Sequence, residues 1–151
     1  MLSPTLTGWY SQYELMKRTY ARLSKTYASS VDYDDDLRHF FQDCWHLKDW
    51  IKNDTGVTSR VRAVIEEEIK VHKSLRIAAD LANGCKHLDH TKFDREGAYV
   101  TSISVTVHLG QGRAESFHTV TLDDGSTLSA QDVARDAFGA WDAILLKCGL
   151  I

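Results

Sequence analysis

The sequence predicts an α+β protein that is mostly α-helical: an up-and-down four-helix bundle, then a small antiparallel β-meander and a C-terminal helix. Three stretches of different hydrophobic spacing predict this order. Apolar residues recur at steps of three and four up to about residue 90, alternate with polar residues over 99–109, and return to helical steps after residue 129.

The length and composition favour one domain. With 151 residues, of which 43% are hydrophobic, the chain can bury a core of its own and is short for two domains. We predict a single domain over 1–151, with a helical bundle at 9–90, a β-meander at 99–128 and a C-terminal helix at 129–148. Because an isolated hairpin is only marginally stable, the last helix is expected to pack across the sheet or the bundle.

Four amphipathic helices are expected in the first part of the chain. The first carries an aromatic stripe that begins at Trp9. The second follows an acidic run at 31–36, where carboxylates stabilise the positive end of a helix, and ends near Asn53. Thr58 or the serine after it opens the third, and the fourth covers 74–90. Short connections between the four imply antiparallel neighbours.

A meander and a last helix are expected after a linker at 91–98. The first strand ends at a glycine-rich turn, and Asp124 with Gly125 supplies a second hairpin turn. Ser129 is then predicted to cap the last helix, with Asp132 completing a capping box. The helix should end at Gly149, because glycine tolerates the left-handed backbone of a helix C-terminus.

The predicted fourth helix carries a polar stripe. Steps of four, three, four and three place five polar side chains on one face: Arg76, Asp80, Asn83, His87 and His90. Apolar residues of the same segment occupy a different face. We expect the polar stripe to face a cleft or a second subunit, and we assign Asp80 and His90 to binding.

Residues 81–87, LANGCKH, resemble the motif of HEPN domains, which are helical bundles in which an arginine and a polar residue precede a histidine. Asn83 and His87 match the polar and histidine positions, whereas Ala82 stands at the arginine position. The resemblance covers about residues 9–90. Because the arginine is replaced, it implies a non-catalytic module that binds RNA or a protein, with a homodimer as the expected assembly.

The resemblance also implies an enzymatic alternative. Active HEPN proteins cleave RNA without a metal across a dimer interface, where histidine transfers protons and arginine stabilises the charge on phosphate. In this chain Arg76 lies roughly 16 Å along the helix from His87. Only an antiparallel homodimer would bring the two together. Asn83, His87 and Arg76 are therefore the catalytic candidates of a dimer-dependent ribonuclease.

A second polar ladder lies on the predicted second helix. His39, Asp43, His46 and Trp50 follow one another at steps of four, three and four, so they share a face. Imidazole and carboxylate ligands suit zinc or iron. We expect a hydrogen-bonded binding surface with no cofactor. The alternative is a metal-dependent hydrolase that uses His46, His87 and His90 as ligands.

Charge and cysteine content limit the remaining classes of function. The net charge of -3 argues against a protein that binds bare phosphate backbone. The three cysteines form no CxxC pair, which predicts free thiols in the reducing cytoplasm. The sequence offers no secretory leader and no apolar run of membrane-spanning length, so we expect no membrane contact.

An Arg-x4-His string also occurs at Arg113 and His118. It falls on a predicted strand, where alternation places the two side chains on opposite faces. We therefore interpret this match as a coincidence.

Overall fold

The computed structural model describes residues 7–24, 30–86, 99–108 and 113–151. The elements follow in the order α1 (Trp9–Leu23), α2 (Ser30–Asn53), α3 (Ser59–Val71), α4 (Lys73–Lys86), β1 (Tyr99–His108), β2 (Arg113–Thr121), β3 (Thr127–Ser129) and α5 (Ala130–Lys147). The predicted fold class is confirmed, since helices dominate and the strands form one small sheet. No helix within these ranges is both long and apolar enough to cross a membrane.

The sheet is an antiparallel meander in the order β1-β2-β3. Its predicted second turn is confirmed. Gly125 has a positive φ of 83°, and the Asp124 carboxylate accepts the backbone N–H of Ser126 at 2.8 Å. An aspartate that bonds the backbone two residues on is typical of such turns. The glycine-rich turn at 110–112 and the linker at 91–98 lie outside the described residues.

Three helix ends test the predicted signals. The Thr58 hydroxyl accepts the backbone N–H of Val61 at 3.4 Å, which confirms the cap of α3. Gly149 has a φ of 68° and terminates α5 as expected. Ser129 lies at the N-cap position of α5 as predicted, but the capping box is wrong, because the serine makes no side-chain cap bond. Asp132 instead accepts from the guanidinium of Arg135 at 2.8 Å, a charge-assisted bond that is stronger than a neutral one.

Helix α2 is the centre of the core. It contacts α1, α3, α4, α5 and β2. Helix α5 contacts α1, α2, α4 and both β2 and β3, so it covers the sheet and the bundle at once. The largest fully buried side chains come from several helices: Met16, Phe40, Leu47, Ile51 and Trp141. Val120 of β2 belongs to the same cluster, so the sheet and the helices share a core.

Two of the cysteines are free thiols inside or beside this core. Cys44 is buried, and burial raises the pKa of its thiol to about 12. Cys148 is half-buried, and burial again raises its pKa. Both thiols are therefore protonated and poorly reactive near neutral pH. The side chain of Cys85 lies outside the part that the structure describes.

The environment of Tyr13 indicates how the stability of the fold changes at high pH. Its hydroxyl donates to the Asp142 carboxylate at 2.8 Å and ties α1 to α5. Burial, and then the bond to Asp142, raises the pKa of Tyr13 from 10.0 to about 12. A raised folded-state pKa stabilises the fold fully below pH 10, and the contribution is lost as pH rises towards 12. Tyr13→Phe should remove this component.

The measurement is urea unfolding of both proteins at a series of alkaline pH values. We expect the difference in unfolding free energy between wild type and Tyr13→Phe to shrink as the pH rises. Tyr10→Phe is the matched control, because Tyr10 is 54% exposed. A difference that stays constant over the whole pH range would contradict the role of the Tyr13–Asp142 bond.

Candidate functional site

The predicted polar stripe on α4 is only partly within the described residues. Asp80 is buried with 7% of its surface exposed, whereas Asn83 is exposed. Arg76 is half-buried, and its guanidinium donates to the backbone carbonyl of Lys70. These three side chains therefore occupy different environments. His87 and His90 lie outside the described residues, so their pairing with Asn83 stays a prediction.

The position of α4 explains why its stripe is not uniform. The helix contacts α2, α3, α5 and β1. With neighbours on several sides, every residue from 77 to 82 is buried. Helical spacing shows which residues share a face, but the neighbouring elements decide whether that face is covered. Asp80 is thus an interior group with contacts of its own, and Asn83 is the exposed candidate.

The ladder on α2 changes environment along its length. His39 is exposed, Asp43 and His46 are half-buried, and Trp50 is 39% exposed. Within the described ranges, no three His, Cys, Asp or Glu side chains come close enough to hold a metal ion. The alternative ligand set of His46, His87 and His90 is not tested by this observation, since two of its members lie outside those ranges.

Asp43 helps to join α2 to α1. The Gln12 amide donates to the backbone carbonyl of Asp43 at 3.1 Å. Burial raises the pKa of the Asp43 carboxyl. Hydrogen bonds from Thr19 and Gln12 to the carboxylate act in the opposite direction. Since Gln12 and Thr19 are both buried, this part of the ladder serves the packing of two helices.

The ladder ends at a cleft of about 600 Å³, which we call the Trp50 cleft. Its walls come from the start of α1, the last turn of α2 and the turn that follows. The side chains that line it include Thr7, Asp49, Trp50, Asn53, Asp54 and Thr55. This volume lies in the range of small-molecule and side-chain binding sites. Of the predicted binding residues that the structure describes, Trp50 is the one that lines this cleft.

Asp54 holds the walls of the Trp50 cleft together. One carboxylate oxygen accepts the backbone N–H of Trp9 at 2.9 Å, and the other accepts that of Gly56 at 2.7 Å. Asp54 thereby caps the first turn of α1 from 45 residues away. The bonds from Trp9 and then Gly56 lower the pKa of its carboxyl, so the group is ionised at neutral pH.

The surroundings of Gly8 indicate that this wall of the Trp50 cleft is sensitive to the addition of a single methyl group. Its φ is 100°, and an added Cβ would lie 2.9 Å from a carboxylate oxygen of Asp54. Gly8→Ala should therefore lower the unfolding free energy by about 1–3 kcal/mol, since both the backbone and the contact are strained. Gly139→Ala is the matched control. Its Cβ would meet nothing within 4 Å.

The control should change stability in the opposite direction. Gly139 lies in the middle of α5, where alanine is favoured over glycine by about 0.5–1 kcal/mol. Denaturant unfolding of the two variants measures both effects. Equal stabilities of Gly8→Ala and wild type would show that Asp54 does not restrict the start of α1.

A second candidate site is a pair formed by a buried histidine and an aspartate, which the sequence analysis missed. The side chain of His118 on β2 has no exposed surface, and its Nε2 lies 3.1 Å from a carboxylate oxygen of Asp34 on α2. The other oxygen of Asp34 accepts from the Arg38 guanidinium at 2.7 Å. The Tyr33 ring lies 5.2 Å from the imidazole, centre to centre. The pair joins the sheet to α2.

The geometry selects one tautomer of His118. The Asp34 carboxylate accepts hydrogen bonds, one of them from the Arg38 guanidinium. The Nε2 atom of a neutral imidazole must then carry the proton, and Nδ1 keeps a lone pair. Among the described residues Nδ1 is buried without a hydrogen-bond partner. Asp34, whose side chain is 26% exposed, thus orients a fully buried imidazole.

One sequence signal could have found this pair. His118, Val120 and Leu122 alternate along the second strand, and all three are buried. The alternation places His118 on the apolar face of the strand, a signal that is separate from its spacing to Arg113. Asp34 was assigned to a helix cap, although it lies beside Tyr33 on a turn of α2 that is covered by the sheet.

Comparisons with known proteins add no family to this geometry. No family model, no curated protein and no solved structure matches the chain. The resemblance to HEPN domains therefore stays a prediction, and function is inferred from the residues themselves.

Proposed function

We propose that the protein is a non-catalytic binding module that recognises another protein through the Trp50 cleft. The observation that carries this proposal is a partly exposed indole in a cleft of about 600 Å³. Leaving a large aromatic surface in water forgoes burial energy. Tryptophan in a concave site is typical of the few residues that dominate protein–protein binding.

Charge favours a protein over RNA as the partner. The cleft is lined by the carboxylates of Asp49 and Asp54, which repel phosphate. Two lysines of the same region are already engaged with carboxylates of this chain. Lys52 lies 2.6 Å from Glu66, and Lys48 lies 3.3 Å from Asp49. An RNA-binding surface would instead require clustered cations that are available to phosphate.

The test compares the proteins retained by wild type, Trp50→Ala and Leu146→Ala in quantitative affinity purification from the protein's own cells. Leu146 is the control because it is 63% exposed and does not line the cleft. A partner identified in this way is then purified and titrated. We expect Trp50→Ala to weaken its binding by about thirtyfold, the effect of a residue worth about 2 kcal/mol. Equal binding by all three proteins would contradict the proposal.

The enzymatic alternatives depend on residues outside the described ranges. Ribonuclease activity would use His87, with Asn83 and Arg76, in a homodimer. RNA cleavage in EDTA that is lost in His87→Ala would overturn the non-catalytic proposal. Zinc, iron or nickel bound in stoichiometric amount would favour the hydrolase that uses His46, His87 and His90.

The proposed setting is a homodimer in the cytoplasm. The free thiols of Cys44 and Cys148 support a reducing compartment, because secreted proteins more often pair their cysteines. Sedimentation velocity over a range of protein concentrations tests the homodimer. A monomer at all concentrations would remove the dimer and, with it, the route from Arg76 to His87 of a second subunit.

A further inference from the structure

We infer that the group bound in the Trp50 cleft is an aliphatic ammonium, supplied by a lysine side chain of the partner protein. This inference rests on the proposed protein-binding function and gives the chemistry of the same cleft. It stands on three features of the lining: a partly exposed indole, side chains with oxygen acceptors in the same lining, and carboxylates without an arginine, lysine or histidine among the described lining residues.

The lining keeps a negative charge at neutral pH. Two backbone N–H groups hold the Asp54 carboxylate in place, and each of its oxygens has a lone pair left. Lys48 lies 3.3 Å from one oxygen of Asp49 and neutralises part of that charge. No lysine or arginine among the described lining residues pairs with Asp54, although Arg62, which is not part of that lining, offsets some of its charge.

The indole of Trp50 provides a face for a cation. An ammonium within about 6 Å of an indole centre is attracted to its negative face. The same helix already contains such a contact, since the Lys48 ammonium lies 4.2 Å from the centre of the Trp45 ring. Trp45 is occupied by a lysine of its own chain, whereas Trp50 lines an open cleft. An external lysine would make the equivalent contact there.

The acceptors suit an ammonium better than a guanidinium. The Asn53 amide N–H donates to the backbone carbonyl of Asp49 at 2.8 Å, which leaves its oxygen as an acceptor. An ammonium has three donors that can point in separate directions, towards Asn53, Asp54 and a threonine hydroxyl. A guanidinium binds best as a fork to two oxygens of one carboxylate. In Asp54 both oxygens already accept a backbone N–H.

The experiment titrates the full chain with a capped Ala-Ala-Lys-Ala-Ala peptide and its norleucine twin, which has the same shape without the charge. The readout is the indole N–H signal of Trp50 in two-dimensional NMR, assigned by its loss in Trp50→Ala. We expect a saturable shift with the lysine peptide and none with the norleucine peptide. Spermidine is titrated in parallel as a free amine.

Two variants test the lining without disturbing Asp54. Asp49→Asn should weaken binding of the lysine peptide about tenfold, because a carboxylate near the ammonium is lost. Glu67→Gln removes a charge from an exposed side chain on α3 that does not line the cleft, and it should bind like wild type. Equal affinities of these two variants would contradict a role for Asp49.

The remaining outcomes separate the ammonium inference from the proposed function. Equal shifts with both peptides, or no shift with either, would overturn the ammonium. Tighter binding of spermidine than of the lysine peptide would overturn the inference that a partner protein supplies the ammonium. If the lysine peptide does not bind while Trp50→Ala still loses its protein partner, the proposed binding function is supported and only the ammonium inference is overturned.

Discussion

Trp141→Ala is expected to lower the unfolding free energy by about 3–5 kcal/mol, the largest effect of any single substitution proposed for this protein. The Trp141 side chain is 1% exposed and lies in the core that α5 shares with α2. Its indole N–H also donates to the backbone carbonyl of Cys44 at 2.9 Å. Alanine would leave a large cavity and remove that bond.

Denaturant unfolding of three variants measures this effect. Trp141→Phe keeps most of the volume and should lose less than Trp141→Ala. Trp50→Ala is the matched control, since it removes an equal side chain that is 39% exposed, and its loss should be clearly smaller than that of Trp141→Ala. If Trp141→Ala and Trp50→Ala proved equally stable, α5 would not be part of the core.

Asp34→Ala should also lower the unfolding free energy, by about 1–3 kcal/mol. The substitution leaves both imidazole nitrogens of His118 buried without a partner, because Nδ1 has none among the described residues already. Leaving a buried donor unsatisfied is more costly than removing an exposed ion pair. Unfolding in urea at neutral pH measures the loss.

Two further variants distinguish the His118 bond from the neighbouring ion pair. Arg38→Ala removes only the exposed partner of Asp34. Because the Arg38 side chain is 55% exposed, the substitution should lower the unfolding free energy by less than about 1 kcal/mol. In a His118→Leu background, Asp34→Ala should become much less damaging, because no buried imidazole is left unpaired. A coupling energy near zero between the two sites would contradict a structural bond.

Local sequence patterns predicted the elements well. The end of α2 at Asn53, the cap at Thr58 and the turn at Gly125 were each indicated by residues next to them. The capping box at Ser129 failed, and Asp132 pairs with Arg135 instead. Competition between nearby side chains is invisible to a spacing rule.

The candidate sites were predicted less well. Trp50 was expected to bind, but only the folded chain places it beside Asp54 in a cleft. The stripe on α4 was expected to share one environment, yet its Asp80 is buried and its Asn83 is exposed. His118 was set aside. Helical and strand periodicity assigns a face to each residue without stating what covers that face.

Apolar spacing, caps and turn residues act over a few positions of the chain, so local patterns indicated the order of the elements and several of their ends, such as Asn53 and Thr58. Which side chains meet depends on the folded chain as a whole. Asp34 and His118 are 84 residues apart, and Cys44 and Trp141 are 97 apart. No local pattern contains such pairs, since they form only when α2 is covered by the sheet and by α5 in one shared core.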